Sequence, residues 1–497
     1  MAISVVDQSE ADDQALDQAL RGLDEPNVSG GSGGDGLERH RSQPRQVRIP
    51  VAGGVLIVLL GLAYLFGWGP IVSGKPQWAM GGDLWGIVRA AHYVGWGDFG
   101  GIYTQGNGVV TFPGIILILT PVVMLSGALG LSESFPPYFL MRPTAVLVVQ
   151  PVELLLAVPI CFAVDAVARR MGLSRAKRWA AVLFSAIVAV PVVAAWGHVE
   201  DVLSVALLLY AIDALAAGRL RRMGWLMGLG VVIQPLVGMA LPVLLAATPR
   251  GQRVRLAVRS AVPSAVLLAI AFAGNAADTF RAVVTQPTPP AVNHATPWVS
   301  LAPKLPPARG PHKSSYSQLV EVGHKFVKLK VHAGKPDVLV SGGAVRTIGL
   351  VVACMIGLRL WRHPVNFAGI VWWSGAALTL RCLFEPVMTP YYLAPPVFVL
   401  VLSAARKGWV RFFVAALLAA MASAYAYTRA SPWVWWLPIA AALIVAAAVG
   451  WPGRASHHAP GVDETRLDDS ARPDPSARPD PSERPDGVLA AGEPLAP

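Results

Sequence analysis

Only 14% of this chain is charged, so the acidic, basic and imidazole side chains that interrupt its apolar stretches are where chemistry is to be sought. Asp83 stands in GGDLWGIVRAAHYVGWGDFGGIY, with Asp98 later in the same stretch. His198, Glu200 and Asp201 cluster in GHVED, and Arg381 and Glu385 open RCLFEPVMTPYY, which ends in Tyr391 and Tyr392. A carboxylate at such a place can take a proton from a hydroxyl as a general base. The planar fork of a guanidinium suits a phosphate, and donors aimed at a leaving oxyanion stabilise its developing charge. Asp83 is the favoured base and Asp98 the reserve. Each has a plainer reading: Asp83 as the N-cap of the amphipathic stretch that follows it, Asp98 as a turn residue in GWGDFGG.

His198, Glu200 and Asp201 could orient hydroxyls, meet a phosphate or hold a divalent ion. Two adjacent carboxylates and one histidine make an incomplete metal site, so no metal is expected; the acids also suit the positive end of the next helix. Arg381 is read as a phosphate ligand, against an ion pair with Glu385 four residues on. Glu153 lies inside an apolar run, where an ionisable group is a functional candidate by default. It has no assigned role.

Apolar stretches must position these groups. Hydrophobic residues make up 54% of the 497, and charge falls well below the roughly 25% of a soluble domain. A helix needs about 20 apolar residues to cross a bilayer. Spans are expected near 50–68, 113–130, 144–167, 179–195, 202–217, 260–276, 344–360, 365–382, 391–405, 411–428 and 433–451. The segment 224–247 is expected to rise, break at Gln234-Pro235 and return; broken membrane helices usually line a cavity. The fold class is therefore an all-α polytopic membrane protein, a bundle of about 11–13 transmembrane helices over residues 49–453. Outer loops 69–112 and 277–343 are expected to carry juxtamembrane helices.

The tails, 1–48 and 454–497, are read as disordered and cytoplasmic, since they have little apolar surface to bury. Basic loops at 169–178, 219–222, 250–255, 359–363 and 406–411 fall on one side, as the positive-inside rule expects. They account for the net charge of +11 without nucleic acid. Before residue 169 the alternation fails: three crossings would put 169–178 outside, so 113–130 or 144–167 is re-entrant. Three cysteines form no disulfide framework.

In the outer loops, Leu84, Ile87, Val88, Ala91 and Val94 recur at helical spacing. Residues 316–332 read as an interfacial helix with Lys325 and Lys328 on one face toward anionic lipid head groups, although VKLKVH also alternates like a strand.

The order of these patterns resembles the GT-C superfamily of membrane glycosyltransferases, most nearly its actinobacterial α-mannosyltransferases. The resemblance covers about residues 50–450. It rests on the acidic GGDLWG stretch before TFPGIILIL, on GHVEDVLSVALLLYAIDAL, on GLGVVIQPLVGMALPVLLA and on RCLFEPVMTPYYLAPP. Several relatives carry a lysine before the proline where this chain has Gln234. The resemblance implies a polyprenyl-phosphate sugar as donor, Asp83 as base, and an inverting displacement at the extracytoplasmic face of the cell membrane. Mannose is the first choice of sugar and arabinofuranose the second, with a glycan or glycolipid acceptor; no further cofactor is firmly implied. His198, Glu200, Asp201, Gln234, Arg381, Glu385, Tyr391 and Tyr392 are then donor or substrate contacts. Asn293, His294 and Trp298 of VNHATPW would form a sugar-binding loop. The rival is a transporter or flippase for a lipid-linked sugar, which also needs many spans, a broken helix and buried charge.

Overall fold

The computed structural model describes residues 47–68, 80, 82–104, 109–131, 144–288, 290, 294–305, 315–322, 325–332, 339–428 and 430–453. The two expected tails lie outside these residues, apart from Val47 and Arg48 at the start of the first helix, and so does Asn293. Among the described residues, seven helices are long and apolar enough to cross a membrane. They are Arg48–Gly67, Val146–Arg170, Arg175–Ala195, Arg250–Gly274, Gly343–Arg362, Phe367–Phe384 and Pro432–Gly450. Further apolar helices, Val199–Ala216, Leu220–Ile233, Ala394–Lys407 and Trp409–Tyr425, pack among them. The chain is a mostly helical, multi-pass membrane protein.

Close helix contacts fix the relative directions. A Cβ at Gly61 would fall 2.3 Å from Leu154, and one at Gly53 would fall 2.9 Å from the Cys161 sulfur. The first helix therefore runs antiparallel to Val146–Arg170. Trp68 and Ala145 lie at the same end of the bundle, with two described α-helices, Gly82–Gly95 and Gly114–Ala128, among the residues between them. The second of these starts beside Val232 and packs on Gly82–Gly95. With Trp68 and Ala145 at one end, an even number of crossings separates them, as the alternation before residue 169 requires.

The opposite end is basic. There Arg170 meets Asp213 at 2.7 Å, and Arg178 holds both oxygens of Asp165 at 2.8 and 3.0 Å. Asp165 and Asp213 are structural, neutralising arginines where helices turn.

Two local features shape the other end. Helix Gly82–Gly95 forms on the expected pattern, and Leu84, Ile87, Val88, Ala91 and Val94 are all buried. The broken segment forms as Leu220–Ile233, a 3-10 turn Pro235–Ala240 and a short helix Leu241–Ala247. Proline disfavours helical backbone in the residue before it, and Gln234 is accordingly extended at φ −143°, ψ 105°.

The described residues within 316–332 do not form a helix. Strands Ser315–Val322 and Lys325–His332 pair antiparallel, Val322 opposite Lys325 and Leu319 opposite Lys328. Alternation of β-branched residues in VEVGHKFVKLKVH favours strand over helix. The helix expected to carry Lys325 and Lys328 on one face is replaced by the strand Lys325–His332. Two smaller sheets accompany this hairpin. Pro287–Thr288, Leu339–Ser341 and Lys304–Leu305 form one; His294–Ala295 pairs with Val387–Met388 in the other.

Candidate functional site

At the end away from the arginine loops the helices enclose a cavity of about 430 Å³. Asp83, His198, Glu200, Gln234, Arg381, Tyr391 and Tyr392 all line it, and so does Arg346. These residues come from five stretches of chain, and each is placed by a local backbone event.

Asp83 enters from the first turn of Gly82–Gly95. His198 precedes helix Val199–Ala216, in a turn that Gly197 makes at φ +70°. A side chain at Gly197 would also collide with Leu84, its Cβ 2.6 Å from that of Leu84. Glycine therefore serves twice here: it permits the left-handed turn, and it lets the start of the Asp83 helix close on His198. The result is a row of three side chains. His198 Nε2 lies 3.0 Å from Asp83 Oδ2, and His198 Nδ1 lies 2.6 Å from Glu200 Oε1. The Tyr391 hydroxyl donates to the same Asp83 oxygen at 3.3 Å, and its ring stacks on the imidazole with centroids 3.6 Å apart.

An imidazole can donate to two carboxylates only when both ring nitrogens carry protons. Burial works against that charged form. Glu200 and Asp83, both bonded to the ring, outweigh burial and hold the His198 pKa well above the ordinary imidazole value. Asp83 differs from its neighbours in access: its side chain is 62% exposed, whereas His198 and Glu200 are buried. One exposed carboxylate, held by an imidazolium and a phenol, faces the cavity.

The broken helix supplies a second wall. The Gln234 side-chain amide donates to Asp201 Oδ1 at 3.0 Å, so Gln234 orients a buried acid as well as lining the cavity. Cations form the third wall. Arg346 Nε lies 2.9 and 2.8 Å from the two oxygens of buried Glu385. Arg381 Nε stands 3.5 Å from the same carboxylate. Its guanidinium carbon lies 3.4 Å from the Tyr392 ring centroid, a cation–π placement. Arg381 Nη1 is buried with no hydrogen-bond partner. Glu385 thus fixes two arginines at the cavity wall, and Arg381 retains an unspent donor.

No family model, curated protein or solved structure matches this chain. What the site can do has to be read from its geometry.

Several residues picked from sequence lie elsewhere. Asp98 caps the 3-10 turn Phe99–Gly101, accepting from Gly101 N at 3.0 Å; turn formation, its plainer reading, uses that carboxylate. His294 stacks on Trp435 with centroids 4.3 Å apart. The Trp298 indole donates to the Leu383 carbonyl, and its ring packs against Phe384 and Trp436. Neither ring lines the cavity, because residues 294–298 are stitched to the chain around 383–388 by strand pairing and by this indole. Among the described residues no group of three or more His, Cys, Asp or Glu side chains is arranged to hold a metal ion. Arg346 escaped the sequence reading. Its signal was the one that marked Arg381, an arginine at the end of a span remote from the basic loops.

Proposed function

We propose that this chain is an integral membrane glycosyltransferase of the GT-C kind, moving a sugar from a polyprenyl-phosphate donor to an acceptor hydroxyl. The observation that carries the reading is that one cavity is lined by both an exposed carboxylate, Asp83, and an arginine pair, Arg346 and Arg381. A sugar phosphate already has a good leaving group, so acid catalysis is dispensable. The acceptor oxygen attacks the anomeric carbon and gives its proton to Asp83. The bond from that carbon to the phosphate oxygen breaks on the opposite face. The phosphate leaves with the electron pair and is met by the guanidinium donors. His198 and Tyr391 hold Asp83 in place through Oδ2. One displacement inverts the anomeric centre, taking a β-linked donor to an α-linked product. Mannose is the favoured sugar and arabinofuranose the second. The acceptor is a glycan or glycolipid of the cell envelope.

In this reading the shorter helices complete a bundle of about 11–13 crossings in the cytoplasmic membrane. The arginine loops and both tails face the cytoplasm, and the cavity opens outside. A transporter or flippase for a lipid-linked sugar remains the second reading, favoured by one observation: Glu153, fully buried within a span.

The test uses purified protein in nanodiscs with synthetic polyprenyl-phosphate mannose or arabinofuranose and simple glycoside acceptors. Wild type should form an α-linked product and release polyprenyl phosphate. Asp83→Asn should lower turnover by about 10²–10⁴ while donor binding persists. Translocation of the intact donor without any transfer would establish the transporter instead.

A further inference from the structure

The basic end of the bundle is unevenly neutralised. In one sector Asp165 holds Arg178 and Asp213 holds Arg170. In the next, no acidic residue stands between Asp213 and Asp278 or between Gly342 and Glu385, and Glu385 is bonded to Arg346 at the cavity end. Arg250, Arg255, Arg359 and Arg362 are exposed and pair with no carboxylate among the described residues. Topology alone gathers arginines at one end of a membrane protein. It does not ask that one sector be neutralised and its neighbour left bare.

An apolar slot of about 280 Å³ lies in the bare sector. Val243, Ala246, Thr248, Leu360, Val365 and Ile370 line it, where Leu241–Ala247 and Gly343–Arg362 end and Phe367–Phe384 begins. Thr248 donates its hydroxyl to the Leu244 carbonyl, so the lining side chains hold out no free donor. Arg253 builds one rim. It donates to the Thr248 and Ala246 carbonyls at 3.0 and 3.2 Å, and its guanidinium lies 4.6 Å from the centre of the Trp361 ring. Arg250 follows the lining Pro249, and Arg359 and Arg362 flank the lining Leu360. The bordering spans, Arg250–Gly274 and Gly343–Arg362, are the least buried of the seven, at 22% and 28%, and Leu358 and Trp361 are exposed beside the slot. This face of the bundle therefore meets lipid. An apolar slot there suits a hydrocarbon chain, and bare arginines beside it suit an anionic head group.

We propose that the slot binds an anionic phospholipid of the adjoining leaflet. One acyl chain lies in the slot, and the head-group phosphate meets Arg250, Arg359 and Arg362, whose planar forks suit it. The site is separate from the cavity of Asp83 and does not depend on the glycosyltransferase reading.

Native mass spectrometry of the delipidated full chain, titrated with phosphatidylglycerol or phosphatidylcholine, tests this without turnover. Wild type should hold one phosphatidylglycerol at least tenfold more tightly than phosphatidylcholine. Each arginine near an anionic lipid contributes on the order of 1 kcal/mol, so Arg359→Gln/Arg362→Gln should weaken that binding roughly thirtyfold. Arg406→Gln/Arg411→Gln removes the same charge from another basic loop and should change it by less than threefold. Ala246→Phe fills the slot at constant charge and should abolish tight binding. Glycerophosphoglycerol, the head group without chains, should not compete at equal concentration. Equal retention of the two lipids, or equal loss in the two arginine pairs, would reduce the site to a generally basic surface and overturn the proposal. Competition by the chain-free head group would overturn it too, because the slot would then play no part; so would tight binding by a folded Ala246→Phe protein. The arginine pairs and the competition decide the matter even where Ala246→Phe fails to fold.

Discussion

Replacing Gly197 by alanine asks whether the Asp83–His198 contact sets the rate, without touching either side chain. Two costs follow from the structure. At φ +70° an L-residue costs about 1–2 kcal/mol. The new methyl would also stand 2.6 Å from the Leu84 Cβ, against about 3.5–4.0 Å for an ordinary carbon contact. The start of helix Gly82–Gly95 must therefore retreat by about 1 Å. Asp83 adjoins Leu84, so its 3.0 Å contact to His198 would stretch to about 4 Å, beyond hydrogen-bond range. A displacement of that size at a reacting group costs on the order of 10² in rate. Arg346 and Arg381 stand on other helices, so donor KM should hold while kcat falls. Gly218 is the control, because it has the same φ of +70° with nothing within 4 Å of its missing side chain. Gly218→Ala should show the backbone cost in thermal unfolding with kcat preserved. Near-normal kcat in a folded Gly197→Ala protein would refute the role given to this contact.

Arg381→Lys should raise the donor KM although charge is kept, because the flat group over Tyr392 and the unspent Nη1 donor are lost; an unchanged donor constant would leave Arg381 a point charge. His198 should make stability fall on the alkaline side. Its folded pKa is raised, so its stabilisation is complete below the unfolded value of about 6.5 and is lost as pH rises through the folded value. Unfolding midpoints across pH should flatten in His198→Gln, and an identical alkaline slope in that variant would refute the assignment. Trp298→Phe should cost about 1 kcal/mol of stability and leave donor and acceptor constants alone; a selective rise in either would return VNHATPW to the substrate.

Much of the scaffold was legible in the sequence because apolar length and proline act locally. Helix Gly82–Gly95 followed from five apolar residues at helical spacing, and the break at Gln234 from the proline after it. The identity of the site residues was half legible. Asp83, His198, Glu200 and Arg381 each carried a chemical signal, but His198 meets Asp83 across 115 residues, a distance that no local pattern reports. Arg346 was visible by the rule applied to Arg381 and still missed, since its partner Glu385 lies 39 residues away. Strand and helix competed over 316–332, and alternation won where a helical face had been drawn through the same residues. Trp298 and His294 looked like sugar ligands by type. Only the strand pairing to 387–388 reveals that their rings are used internally.

The helix Gly114–Ala128 has a consequence for how the chain is made. Its fifteen residues span about 22 Å at 1.5 Å each, short of a hydrocarbon core of about 30 Å, and Pro121 lies inside them. If this segment stays on the side where Trp68 emerges, its apolar composition works against that outcome during synthesis, since it invites the translocon to release it into lipid. The short apolar length and the packing on Gly82–Gly95 both favour that placement. Lengthening GIILILTPVVMLSGA by a turn would give the insertion machinery a genuine stop signal. Every helix after it would then be threaded upside down.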